Sequence, residues 1–489
     1  LKSIYSSSLC VFVSLPILLM SAITQASTAS EPKASSQCDL SQPLAKLHSI
    51  ERQVTLTELE NGLIIRQVHQ PSLNTVSIAS QFNVGSRNEK AGQTGYAHLF
   101  EHLLFKGSEN APNDSYPQQM SALGARFNAS THFDYTNYYL TIPAQALELS
   151  LFLESDRFIK PVLSATTVQN QQGAVLEEMA TTIDNQPYIR EAMEFLLSQV
   201  AGSQYGHAII GSIEDVKSAT AQELVEFHQR YYRPDAMQMS LVGQLNDKTS
   251  DWLEDYLGQW QNPDIPKQKF TKINIESSQL TATHAEIIDG RGPWPALLLA
   301  WHTVGEQDAD FEAVSLLQSY LFQNIANALT KATLENPPHM LSYSVPLTMQ
   351  NHGVTNLVLV PRANTSLDKL NEMVSTLLEK VASQGLEPRS LCQLKSVSLN
   401  DSLISFTDSQ QLAVYLSKTS TRDKYFPLTQ PWQRTAKVTS DDLKRVANQY
   451  FINKEVRLDL LPSWYIRWGK TLLEWLPEGF TESIEKWAL

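Results

Sequence analysis

The chain repeats itself. Tyr138-Tyr-Leu-Thr-Ile-Pro143 alternates as a strand does and runs into a helical segment, Ala144–Phe158. Asn356-Leu-Val-Leu-Val-Pro361 does the same and runs into Ser366–Ser383, whose Leu367, Leu370, Val374, Leu377, Leu378 and Val381 recur at helical spacing before Gly385. The two prolines lie 218 residues apart. A second pair of landmarks tests the offset. The helix-like run ending at Tyr231 and Tyr232 leads into a strand, Ala236–Gly243, and the run ending at Tyr450 and Phe451 leads into another, Glu455–Pro462; Tyr231 to Tyr450 and Gly243 to Pro462 are both 219 residues. An offset this regular requires the same supersecondary order twice. Two similar domains are expected, over about 48–262 and 273–462, joined by the polar, proline-bearing stretch Gln261–Lys272. Long helices together with short alternating strands such as Val76–Val84 predict an α+β fold, in which each domain is a largely antiparallel sheet backed by helices.

Composition narrows the classes. The 489 residues carry 38 Lys+Arg against 51 Asp+Glu, a formal charge of −13, where a nucleic-acid binder would show a basic footprint. Residues 1–26 hold one charge, Lys2, then an apolar run from Leu9 to Met20 and the small-residue site Thr24-Gln25-Ala26. This reads as a secretory signal peptide cleaved after Ala26, and it predicts a periplasmic or secreted protein. Cys10 lacks the small residues of a lipoprotein site before it, so no lipid anchor is expected. Beyond the leader only Cys38 and Cys392 remain. They could pair in an oxidising compartment, but their spacing does not decide whether they do. Residues 463–489 form an amphipathic, Trp-rich tail with Trp464, Trp468, Leu472, Trp475 and Leu476 at helical spacing, and Pro477 breaks the run. With few basic residues beside it, packing on the second domain or on a partner is favoured over contact with a membrane surface.

The chemistry concentrates in Gly95-Tyr-Ala-His98-Leu-Phe-Glu101-His102-Leu-Leu-Phe-Lys-Gly107. On a helix, His98 and His102 share one face and can share a metal, and Glu101 flanks that face. Leu99, Phe100, Leu103 and Leu104 cover the other side and would seat the helix on a core, with Gly107 as its expected stop. Neutral imidazoles suit zinc, and a glutamate suits the base that deprotonates an attacking water. The spacing is H-x-x-E-H, the inverted zincin pattern, although five residues alone also arise by chance. A catalytic zinc takes three protein ligands and leaves one position open. Val175-Leu-Glu177-Glu178 offers two adjacent carboxylates for the third place, and spacing does not choose between them.

Further segments carry a resemblance. Gly85-Ser-Arg87, Gly124-Ala-Arg-Phe-Asn128-Ala129-Ser-Thr131-His-Phe-Asp134-Tyr-Thr136-Asn-Tyr138, Tyr205-Gly206-His207 and Tyr232-Arg-Pro234 join the histidine segment and the Val-Leu-Glu-Glu run. Over most of 48–462 the chain resembles the inverzincin metallopeptidases, the family of pitrilysin, insulin-degrading enzyme and mitochondrial processing peptidase, and within it the short bacterial members. The resemblance implies one zinc ion per chain, with His98, His102 and Glu178 as ligands and Glu101 as the general base. It implies that Asn128 and Ala129 lie on a strand edge that holds an extended peptide by main-chain hydrogen bonds. It also implies the activity, hydrolysis of extended peptides or unfolded protein segments.

The duplication bears on this expectation. An offset of 218 carries His98, Glu101 and His102 onto Leu316, Ser319 and Tyr320, and 219 carries Glu178 onto Val397. The second domain therefore lacks the metal set and is expected to close over substrate as a degenerate half, with His302 structural. Three departures from the resemblance stand out. Gln171 occupies the place, seven before the third ligand, where the family commonly has Glu, and Ala236 stands where it favours Asn. Active members also draw an Arg and a Tyr from a C-terminal half. Tyr343 could be that Tyr, but Tyr320–Leu341 contains no Arg. The resemblance then implies a homo- or heterodimer, a heterodimer with a related subunit being favoured; the alternative function is a weak or inactive member that serves as a peptide-binding subunit.

Overall fold

The computed structural model describes residues 38–266, 284–330, 339–344, 347–362, 365–418 and 428–464. The expected leader at 1–26, residues 267–272 of the expected linker and the tail beyond Trp464 lie outside the described residues.

Two six-stranded mixed sheets carry the fold. The first runs β1 (Thr55–Glu58), β2 (Ile64–His69), β6 (Met237–Gly243), β3 (Thr75–Phe82), β5 (Thr136–Pro143) and β4 (Arg126–Thr131). The second runs β7 (His284–Asp289), β12 (Val456–Pro462), β8 (Ala296–Val304) and β11 (His352–Pro361), with β9 (His339–Tyr343) and the two-residue β10 (Leu347–Thr348) both on β11. The order β2-β6-β3-β5-β4 corresponds strand for strand to β7-β12-β8-β11-β9. Along each of these two orders the first pair is parallel and the next three are antiparallel. Pro143 and Pro361 end equivalent strands. Equivalent helices also start alike: Thr220 and Thr439 each accept a hydrogen bond from the backbone of the third helical residue, and Glu223 and Asp442 reach back to close the cap.

The repeat extends to how the halves meet. One face of the first sheet takes a helix from the second half, Ser409–Ser417, which sets Leu412, Ala413 and Leu416 against Val68, Ala79 and Val242. Ser240 Oγ donates to the Ala413 carbonyl at 2.6 Å. Reciprocally, the helix Ile189–Ser198 of the first half sets Phe195, Leu196 and Leu197 against Leu298, Ala300 and Val358 of the second sheet. Ser198 and Ser417, the ends of these exchanged helices, are again 219 residues apart. Each buried leucine or phenylalanine contributes roughly 1.5–3 kcal/mol, so the exchange holds the halves together.

The chain ahead of the first sheet is fastened to the second half. Leu47 of the helix Ser41–Glu51 packs with Leu399 and Trp432, and Cys38 just before the helix is disulfide-bonded to Cys392, Cα to Cα 5.4 Å. The pairing that spacing left open is thus made. One expectation is corrected. The histidine helix ends at Leu103, not near Gly107. Its last carbonyls are taken by Leu104, Phe105 and Lys106 in tight turns, and Gly107 belongs to the loop whose carbonyl accepts from Val162. No helix among the described residues is long and apolar enough to cross a membrane.

Candidate metal and catalytic site

The helix Tyr96–Leu103 starts from Gly95 at φ +90°, where an added Cβ would lie 2.6 Å from the Ile210 carbonyl oxygen. Leu99, Phe100 and Leu103 are fully buried in the first core, and this fixes the helix's rotation and leaves His98 and His102 on the opposite flank. Their ring centroids are 4.7 Å apart. The helix Ala165–Met179 brings in the carboxylate: Glu178 Oε2 lies 3.4 Å from His102 Nε2 and 3.7 Å from His98 Nε2. Its neighbour Glu177 is exposed, so the structure sets Glu178, not Glu177, beside the histidines.

These atoms fit a cation. His102 Nε2 and both Glu178 oxygens are buried with no hydrogen-bond partner among the described residues, an arrangement that is costly unless a positive group fills it. Burial, reinforced by His102, holds His98 well below the ordinary imidazole range, so its lone pair is free for a metal. Two imidazoles and a carboxylate within 4.8 Å of one another are a zinc donor set, and no fourth such residue joins them among the described residues. A second group, His284, Glu286 and Asp459, also converges, but Arg457 takes both oxygens of Asp459.

Glu101, on the same helix, is fully buried. Burial raises its carboxyl to about 7, against the pull of His102 and of a hydrogen bond from Thr131. Thr131 Oγ1 donates to Oε2 at 2.5 Å, and Oε1 has no partner among the described residues. Thr131 ends β4, the strand at the edge of the sheet. Asn128 and Ala129 lie on β4, opposite Tyr139 and Tyr138 of β5. A cavity of about 160 Å³ opens beside His98 and Glu178. Met193, Leu196 and Ile210 wall it from the first half, and Leu298, Val358 and Tyr343 from the second. The structure therefore brings Tyr343 to the same cavity as His98 and Glu178. His302 lies on β8 with Nδ1 3.1 Å from His352 Nε2, away from this group.

Residues 65–211 match the family described as Insulinase (Peptidase family M16), and residues 218–397 match the Peptidase M16 inactive domain. The chain belongs to the M16 peptidase family. A relative named zinc protease PqqE from Helicobacter pylori is 24% identical over 80% of this chain and 89% of its own length. The probable mitochondrial-processing peptidase subunit beta of Schizosaccharomyces pombe is 21% identical over 83% and 91%. In fold, the first half of the periplasmic protease PqqL from Escherichia coli superposes with a TM-score of 0.69 at 17% identity, covering 89% of this chain and 96% of that one.

As an M16 chain, it carries a catalytic-type domain first and an inactive-type domain second. Leu316, Ser319 and Tyr320 lie on the helix Phe311–Thr330, and Leu316 is buried in the second core. Gln171 is buried two turns before Glu178 on the same helix. Two features were not legible in sequence. Thr131 was visible only as one letter of a longer segment, without its tie to Glu101. Lys418, at the end of the exchanged helix, places its ammonium 5.6 Å from the Tyr135 ring, a contact that no spacing encodes.

Proposed function

We propose that this chain is a zinc-dependent endopeptidase acting on extended peptides or unfolded protein segments. The observation that carries this reading is the convergence of His98, His102 and Glu178 beside a buried Glu101. Zinc held by those three residues would supply a Lewis acid to polarise the scissile carbonyl and acidify an attacking water. Glu101, oriented through Oε2 by Thr131, takes a proton at its free Oε1 and returns it to the leaving amine. Asn128 and Ala129 on the edge strand offer main-chain groups to an extended peptide, and the apolar cavity beside His98 and Glu178 takes an apolar side chain. Tyr343 orients substrate from the second half. Glu101→Gln should retain stoichiometric zinc and lose about 10²–10⁴ in kcat on a peptide library; wild-type turnover in that variant would remove Glu101 from its role.

Residence in the periplasm is supported by the Cys38–Cys392 disulfide, by the leader-like residues 1–26 and by the periplasmic relative. A second reading is favoured by Gln171 and by the absence of Arg from Tyr320–Leu341: the chain acts with a related subunit that completes the substrate site. The resemblance to a chain named as a processing-peptidase subunit supports it. Sedimentation with a peptidase assay separates the two, because full activity in a monomer sinks the second.

A further inference from the structure

The start of the histidine helix is built unusually. Gly95 has no side chain to cap the helix, and the cap comes from Glu89, six residues upstream. Its Oε2 accepts from Gly95 N at 2.8 Å and its Oε1 from Ala97 N at 2.8 Å, so both oxygens are committed to first-turn donors that have no partner within the helix. His207 Nε2 completes the set at 2.9 Å from Oε2. The Glu89 side chain is 0% exposed, and burial pushes its carboxyl up while His207 pulls it back. An exposed Ser or Asp would cap a helix without that opposition.

The helix is eight residues long, too short to hold its own position by helix propensity. Its rotation comes from the core on one side and its axial position from the Glu89 anchor, whose bond at Ala97 fixes the backbone one residue from His98. His207 ties the same anchor to the segment that follows it, where Ala208, Ile209 and Ile210 line the cavity beside His98 and Glu178. There the contact is backbone on backbone: a Cβ on Gly211 would lie 2.6 Å from Gly95 Cα.

We infer that Glu89 and His207 are the positioning pair of the metal helix, a buried carboxylate and imidazole that set where His98 and His102 stand relative to Glu178. The inference rests on the peptidase reading for the identity of the ligands, and its readout is zinc affinity, independent of turnover. Zinc dissociation constants would be measured on the full chain by competition with a chromogenic chelator. Melting temperature and kcat would be recorded alongside. Glu89→Gln, whose amide turns one acceptor into a donor facing donors, should weaken zinc by about tenfold or more. It should lower kcat more than it changes KM. His207→Ala should weaken zinc in the same direction, and His207→Gln, which keeps a donor, should restore part of the loss. Glu154→Gln is the control. That carboxylate is equally buried, on Arg157 and Tyr116, and its loss should lower the melting temperature without weakening zinc. Zinc binding within twofold of wild type in both Glu89→Gln and His207→Ala overturns the inference, as does an equal loss in Glu154→Gln. Should Glu89→Gln fail to fold, His207→Ala decides, since His207 is partly exposed. A wild-type chain that binds no zinc overturns the peptidase reading instead.

Discussion

Thr131 Oγ1 donates a 2.5 Å hydrogen bond to Glu101 Oε2. This joins the last residue of the edge strand β4 to the carboxylate beside the histidines, so the strand proposed to hold substrate also orients the proposed base. A hydrogen bond to a charged group contributes about 1.5–3 kcal/mol. Thr131→Val should therefore lower kcat by roughly 10- to 100-fold with zinc content unchanged. Steady-state kinetics with metal analysis check it; an unaltered kcat would mean that the bond is incidental.

The choice between the adjacent glutamates is open to direct test. Glu178 lies within 3.7 Å of both imidazoles, while Glu177 faces solvent. Glu178→Ala should drop zinc occupancy by more than about tenfold, and Glu177→Ala should leave it within error. Elemental analysis after dialysis reads both, and equal behaviour of the two variants contradicts the assignment.

The Cys38–Cys392 bond fastens the N-terminal helix to the second half. Cys38→Ser with Cys392→Ser should destabilise the chain by about 2–5 kcal/mol. The region around Ser41–Glu51 should become the first point of proteolysis. Melting with and without reductant, followed by limited proteolysis, tests this; identical melting curves count against it.

Asp289 joins the halves by accepting from Tyr188 N at 3.0 Å, at the head of the exchanged helix Ile189–Ser198. Its hydrogen bonds from Arg291 hold the carboxyl at about 2, below the ordinary 3.8. The native state thus favours the ionised form. The stabilisation is present above about pH 4 and is lost as pH falls from there through about 2. Asp289→Asn should melt below wild type at pH 7, with the gap closing as pH falls through that window. A gap independent of pH excludes the linkage.

How much could be read without coordinates follows from which forces are local. Helical and strand periodicities depend on neighbours a few residues apart, and the 218–219 offset compares one such pattern with another, so the two-domain α+β fold and the loss of metal residues at Leu316, Ser319, Tyr320 and Val397 were legible in one dimension. His98 and His102 belong to the same class, because one helical turn sets their separation. Other relationships join residues that only the folding of the chain brings together. Among them are the hydrogen bond from Thr131, the anchoring of the helix by Glu89 and His207, the pairing of Cys38 with Cys392, the exchange of helices between sheets, and the place of Glu178 rather than Glu177 beside the histidines, which spacing left open and only the resemblance implied. They depend on the burial of apolar faces that sets one element's rotation against another, and that rotation exists only once the chain has folded.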